Sequence, residues 1–169
     1  MNKCVMPVLV LILLIVGCEY ESPLTTEHTV AVDSAVIGLW EPLPNEGSKA
    51  EEDERMMILK YSNTEFLIHY PIGEDGFYYR AYPIKLGGVS CVQIQVIGTY
   101  EGPLKMDETK LFHVVSYQLT DGKLEIRTLN TDLVDTDLKT TDELREAFLK
   151  HKDNKDLFDN PETFRRIER

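Results

Sequence analysis

Basic residues are scarce. Against 29 Asp and Glu the chain has 18 Lys and Arg, a formal charge of −11 over 169 residues. That balance excludes a protein built to neutralise nucleic-acid phosphates and disfavours electrostatic adhesion to anionic lipid. Cysteine is scarcer still, with three (Cys4, Cys18 and Cys91) and no Cys-x-x-Cys, so neither a disulfide framework nor a local zinc knuckle is expected. The four histidines, His28, His69, His113 and His151, never fall at His-x-x-x-His spacing. There is no Gly-x-Ser-x-Gly elbow, no Walker loop and no Gly-x-Gly-x-x-Gly turn. No cofactor, metal or catalytic role is therefore expected. Asp132, Asp135, Asp137 and Asp142 cluster, but a calcium loop started at Asp135 puts Lys139 fifth and Thr140 sixth, where a ligand and a glycine are needed. The cluster reads as a solvated acidic loop. What the chain does have is 43% apolar residues with 9% aromatics, enough for a packed domain rather than a disordered one.

Long apolar runs are also missing, with one exception. Residues 5–16 are wholly apolar, preceded by Lys3 and followed by no acidic residue until Glu19. A bilayer core needs about 20 apolar residues, so this run is short for a span and fits an export signal over residues 1–17. The remaining chain has the length of one domain, which would bury roughly 70% of its unfolded surface. Ile15-Val16-Gly17-Cys18 resembles the lipobox of bacterial lipoproteins, with Ile15 and Val16 where Leu and Ala or Ser are commonest. The resemblance implies cleavage between Gly17 and Cys18, a diacylglycerol thioether on Cys18 and a further acyl chain, such as palmitate, on the new amino terminus. It implies a cell-envelope address anchored in a membrane. With Glu19 rather than Asp after the cysteine, that membrane is the outer one, facing the periplasm. Two or more chains anchor stably where one does not. Only Cys91 would then remain a thiol, and its strand-like surroundings mark it as a small apolar wall residue.

Residues 18–32 read as the lipidated N-terminus and a flexible polar tether, and residues 33–169 as one domain. Asp33-Ser34 can cap a single helical turn leading into Val36-Ile37-Gly38-Leu39-Trp40. Strand patterns follow at 55–61, 64–70, 77–86, 89–99, 111–119 and 123–130. Turn residues separate them, among them Gly87-Gly88 and Asp121-Gly122. Val92, Ile94 and Val96 alternate with Gln93 and Gln95. With the run at Gly38 these make seven strands at hairpin spacing. No helix between them is long enough for a parallel crossover, so the chain is mainly β, an antiparallel up-and-down meander. At the C-terminus the period changes. Thr140-x-x-Glu143 is a capping box, and Leu144, Ala147, Phe148 and His151 share one helical face. Asn160-Pro161 reads as the cap of a second short helix over 161–167, with Phe164 and Ile167 facing inward.

An exported meander entered through a helical turn and Gly38-Leu39-Trp40 resembles the lipocalins and lipocalin-like domains of bacterial lipoproteins. The resemblance implies a closed barrel with Gly38 and Trp40 at its base, Trp40 under a late Arg such as Arg127 or a C-terminal one. It departs from that family in having seven clear strands rather than eight and no Thr-Asp-Tyr motif. A small closed barrel is either filled by side chains or holds one small ligand. Tyr78, Arg80, Tyr82 and Ile84 share one strand face. Turned inward, Arg80 between two tyrosines would suit a carboxylate head group; turned outward, Phe77, Tyr79 and Ala81 would fill the lumen instead. His113 shares parity with Leu111, Val115 and Tyr117. Two functions follow: a binding module for a small apolar or amphipathic ligand, with Tyr78, Arg80, Tyr82 and His113 as candidate contacts, or a filled barrel serving as a protein-interaction or envelope-assembly factor. The latter would use the acidic loop 46–54 and the helical tail as contact surfaces.

Overall fold

The alternation of Val92, Ile94 and Val96 against Gln93 and Gln95 sets the inside and outside of the molecule. The three aliphatic side chains face a lumen, and the glutamines face outward. The computed structural model describes residues 19–43, 54–104 and 112–168. A short 3₁₀ turn, Ser34–Val36, leads into β1 (Gly38–Pro42). Then come β2 (Met56–Lys60), β3 (Phe66–Tyr70), β4 (Phe77–Leu86), β5 (Val89–Thr99), the two-residue β6 (Gly102–Pro103), β7 (Phe112–Thr120), β8 (Lys123–Leu129), α1 (Thr141–His151) and β9 (Phe158–Arg166). Every neighbouring pair is antiparallel. β4 pairs with β5 and β1 with β9, so eight strands close into an up-and-down barrel, with β6 appended to the end of β5.

The meander runs as its pattern predicts until its last element. The second helix expected over 161–167 is instead β9, hydrogen-bonded to β8 on one side and β1 on the other. Asn160-Pro161 is not a helix cap but a β-bulge. The register slips so that these two residues oppose Arg127 alone, and Asn160 takes φ 49. A proline cannot donate to a ladder, and a bulge is where a strand tolerates that. Pairing energy also decides the matter, because without β9 both β1 and β8 would be unpaired edges. The first helix does form, with its capping box complete and Leu144 and Phe148 buried.

Two cores result. The lumen cluster includes Trp40, Ile58, Phe66, Tyr79, Val92, Val115 and Phe164. The outer cluster packs Leu144 and Phe148 of α1 against Ile84, Cys91 and Val114 on the wall. It also holds Tyr20 and Leu24, both fully buried. The stretch read as a flexible tether is therefore a strap on the barrel. Tyr20 exchanges backbone hydrogen bonds with Phe112 and donates its hydroxyl to the Val134 carbonyl at 2.9 Å. Burying each such side chain is worth about 1.5–3 kcal/mol, enough to hold a polar segment down. The proposed signal 1–17, Gly17, Cys18 and most of the acidic loop 46–54 lie outside the described residues.

One end of the barrel is a plugged base. Trp40 is fully buried and donates Nε1–H to the Val36 carbonyl at 2.9 Å. The Arg166 guanidinium lies 4.7 Å from the Trp40 ring centroid. It donates to the carbonyls of Ile37, at 2.8 Å, and Ala35. A side chain on Gly38 would come within 3.0 Å of Arg166 Nη1, so glycine leaves the guanidinium its path. Trp40→Ala should cost about 3–5 kcal/mol in a denaturant titration. Tyr61→Ala, at an aromatic 68% exposed, should stay within about 0.5 kcal/mol. Equal losses would contradict the plugged base.

Candidate functional site

Each barrel strand contributes a side chain to the lumen, and together they leave a cavity of about 110 Å³. Packed interiors leave few voids larger than a water molecule, and an engineered apolar cavity of about 150 Å³ holds benzene. The lumen thus has room for a molecule of about the same class. Its wall is aliphatic and aromatic apart from Thr128, Asn160 and Glu162, with the tyrosines Tyr70, Tyr79 and Tyr117 adding ring faces. The first three lie together because β8 ends and β9 begins at the end of the barrel opposite the base. There Ile126 pairs with Glu162 and Thr128 with Asp159, across the bulge. Along β9 Glu162 and Phe164 face the lumen, with exposed Asn160 at its rim and Arg166 over the plugged base.

Glu162 is the anomaly in this wall. Burial first, and the nearby Glu54 charge second, push its carboxyl up to about 7. The Tyr70 hydroxyl is also pushed up, by burial and then by the charges of Glu162 and Glu54. Burial likewise raises Tyr79 and takes Tyr117 up to about 12, so all three phenols are neutral near pH 7.

The residues proposed from sequence as ligand contacts sit elsewhere. Tyr78, Arg80 and Tyr82 face outward, because their neighbours Tyr79 and Ala81 pair with Val96, Ile94, Phe66 and Ile68 on the lumen side. Arg80 finds its acid outside. Its Nε and Nη2 donate to the two Glu65 carboxylate oxygens at 2.9 and 2.6 Å. His28 Nδ1 lies 2.5 Å from Glu65 Oε1, and its ring stacks on Tyr82 at 3.6 Å between centroids. The Arg80 bond is the main reason the Glu65 carboxyl is lowered to about 2; burial opposes it and the His28 bond adds to it. The Tyr82 hydroxyl donates to the Thr25 carbonyl at 3.0 Å. Gln93, wholly buried, accepts from the Leu24 and Thr25 amides at 2.5 and 3.3 Å. These side chains latch the strap to the wall. Tyr78 stacks on His69 at 4.3 Å.

His113 does face inward, opposite Ile94, but away from the cavity lining. Its Nε2 lies 3.9 Å from Glu19 Oε1. Cys91 is buried between wall and helix, and burial takes its thiol up to about 12. Gly38 and Trp40 are at the base, and the arginine over Trp40 is Arg166 rather than Arg127, which bonds Glu125. Sequence reasoning missed Thr128, Asn160 and Glu162. Only Asn160-Pro161, a turn pair at the end of a strand-length run, signalled them. Compared with protein-family models, curated proteins and solved structures, the chain has no significant match in any of the three.

Linkage gives the two acids opposite signatures. Glu65, lowered when folded, contributes stability above pH 4.5 that is lost as pH falls toward 2. Glu162, raised when folded, holds its proton more tightly in the native state, so stability is lost as pH rises from 4.5 through about 7. Glu162→Gln should remove that second decline. Its stability advantage over the parent should grow by about 1 kcal/mol between pH 4.5 and 8, allowing for solvent screening. Thermal melts across that range check it, and a constant difference would contradict the assignment.

Proposed function

We propose that this chain is a lipid-anchored cell-envelope lipoprotein whose lipocalin-like barrel binds a small apolar or amphipathic ligand. The observation that carries the reading is the lumen itself: an apolar cavity of about 110 Å³, closed at the base by Trp40 under Arg166, with its polar groups gathered at the other end. A barrel acting only through its exterior needs a filled interior, and a cavity of this size favours binding over that alternative. Binding fits a wall that is aliphatic and aromatic apart from three residues gathered at one end. The Trp–Arg pair at the base is the arrangement the lipocalin resemblance implies.

The anchoring half rests on Ile15-Val16-Gly17-Cys18 and gains support from the strap. Glu19 lies beside His113 near the end of the barrel opposite the base, so an acyl group on Cys18 would hold that end toward the membrane.

Both halves can be tested. Cys18→Ser should move the protein from the membrane to the soluble fraction on cell fractionation, and continued sedimentation with membranes would sink the anchor. In NMR titrations butan-1-ol should perturb Val92, Val115 and Phe164, which face the lumen, and spare Val114 on the outer wall. Val115→Phe should abolish these shifts by filling the cavity. Perturbation confined to the outer wall would refute the lumen as the site.

A further inference from the structure

The lumen wall breaks its own chemistry at one place. Through the bulge β9 brings Glu162, half-buried, and Asn160, exposed at the rim, to the open end of the lumen, and Thr128 of β8 lines the same end. Bulges recur at functional sites because they re-aim side chains. Here all three side chains bring acceptor atoms. The Thr128 Oγ1 is buried and has no hydrogen-bond partner. Asn160 donates its amide to Asp159 at 2.9 Å, which leaves its carbonyl oxygen as the atom available to a ligand. Glu162 has no ion pair among the described residues, and the charge acting on it, that of Glu54, has the same sign. A half-buried carboxyl without a counter-charge is unfavourable, and a cation delivered by a ligand would relieve it. The tyrosine rings of the lumen add electron-rich faces that attract cations.

We propose that the lumen selects a small amphiphilic amine, its ammonium group set among Glu162, Thr128 and Asn160 and its hydrocarbon body in the apolar cavity. This rests on the binding reading above and deepens it by naming the ligand class. It also reverses the charge expected from sequence. Arg80, the side chain suited to a carboxylate, is outside and already paired with Glu65, whereas the lumen holds an acid. A four-carbon amine matches the cavity's size, and the chain's formal charge of −11 draws cations toward it. The titratable groups acting on Glu162 are Glu54, preceding β2, and Tyr70 on β3. Tyr79 of β4 and Tyr117 of β7 face the same lumen, and both are neutral at the pH of the test.

The experiment compares butylamine, butan-1-ol and butyrate by NMR titration of the lumen resonances at pH 8. The amine should bind roughly tenfold tighter than the alcohol, the gain expected of a hydrogen bond to a charged partner, with butyrate weakest. Glu162→Gln should remove the amine's advantage over the alcohol. Thr128→Val should weaken the amine more than the alcohol, and it keeps the test open if the Glu162 variant folds poorly. Lowering the pH to 6 should weaken the amine alone, as Glu162 takes up its proton. Butyrate binding as well as the amine, or an amine preference that survives both substitutions, would overturn the proposal. Failure of all three probes, the alcohol included, would instead overturn the lumen as a binding site.

Discussion

Closure of the sheet by β9 is the constraint on which everything else in this molecule depends. One strand of nine residues satisfies the backbone groups of β1 and of β8, and a barrel has no edges only if that strand is present. The same strand supplies Arg166 to the base, Phe164 to the lumen core and Glu162 to the cavity. Its alternation along one face thus grades from a cation that caps the tryptophan, through a packed ring, to an acid in the lumen. Structure and site are carried by one run of residues at period two, and a change of register there would disturb all three at once.

A second dependence runs across the outer wall. Barrel exteriors are ordinarily solvated, yet Gln93 and Tyr82 are buried here because the strap lies over them. The polar groups this encloses are answered in kind. The Gln93 amide accepts two backbone N–H bonds and donates to the Thr25 carbonyl at 3.3 Å, and Arg80 is held by both Glu65 oxygens. Such networks are costly when half satisfied, so the strap, the wall and α1 form one cooperative layer rather than a loose appendage.

Most of the barrel was legible because its strands announce themselves by alternation. The hairpin at Asp121-Gly122 and the capping box at Thr140 fall where the pattern predicts. Inside and outside were harder on β4, where Tyr78 and Tyr82 alternate with Phe77 and Tyr79 and both faces carry rings. Only the cross-strand partners, Val96 and Ile94 against Gln95 and Gln93, decide it. β9 was misread for a more telling reason. A strand that faces a lumen should show apolar residues at every second position, and this one shows Asn160 and Glu162. The departures that hid the strand are the residues that make the cavity chemically distinctive, which is where local pattern and function are expected to part. The strap failed differently: Glu19, Glu21, Ser22 and Thr25 look solvated, and only Tyr20 and Leu24, two residues among many polar ones, reveal the burial.

The strap leaves no slack from Tyr20 onward. Tyr20 is fixed to Phe112 and Val134, Ser22 and Thr141 are bonded to Lys139 and Pro23, and the path continues without a break to the turn at Ser34. Tyr20 is therefore held from two sides, by the first residue of β7 and by the loop before α1. A segment pinned in this way is not a leash beside the domain but part of its wall.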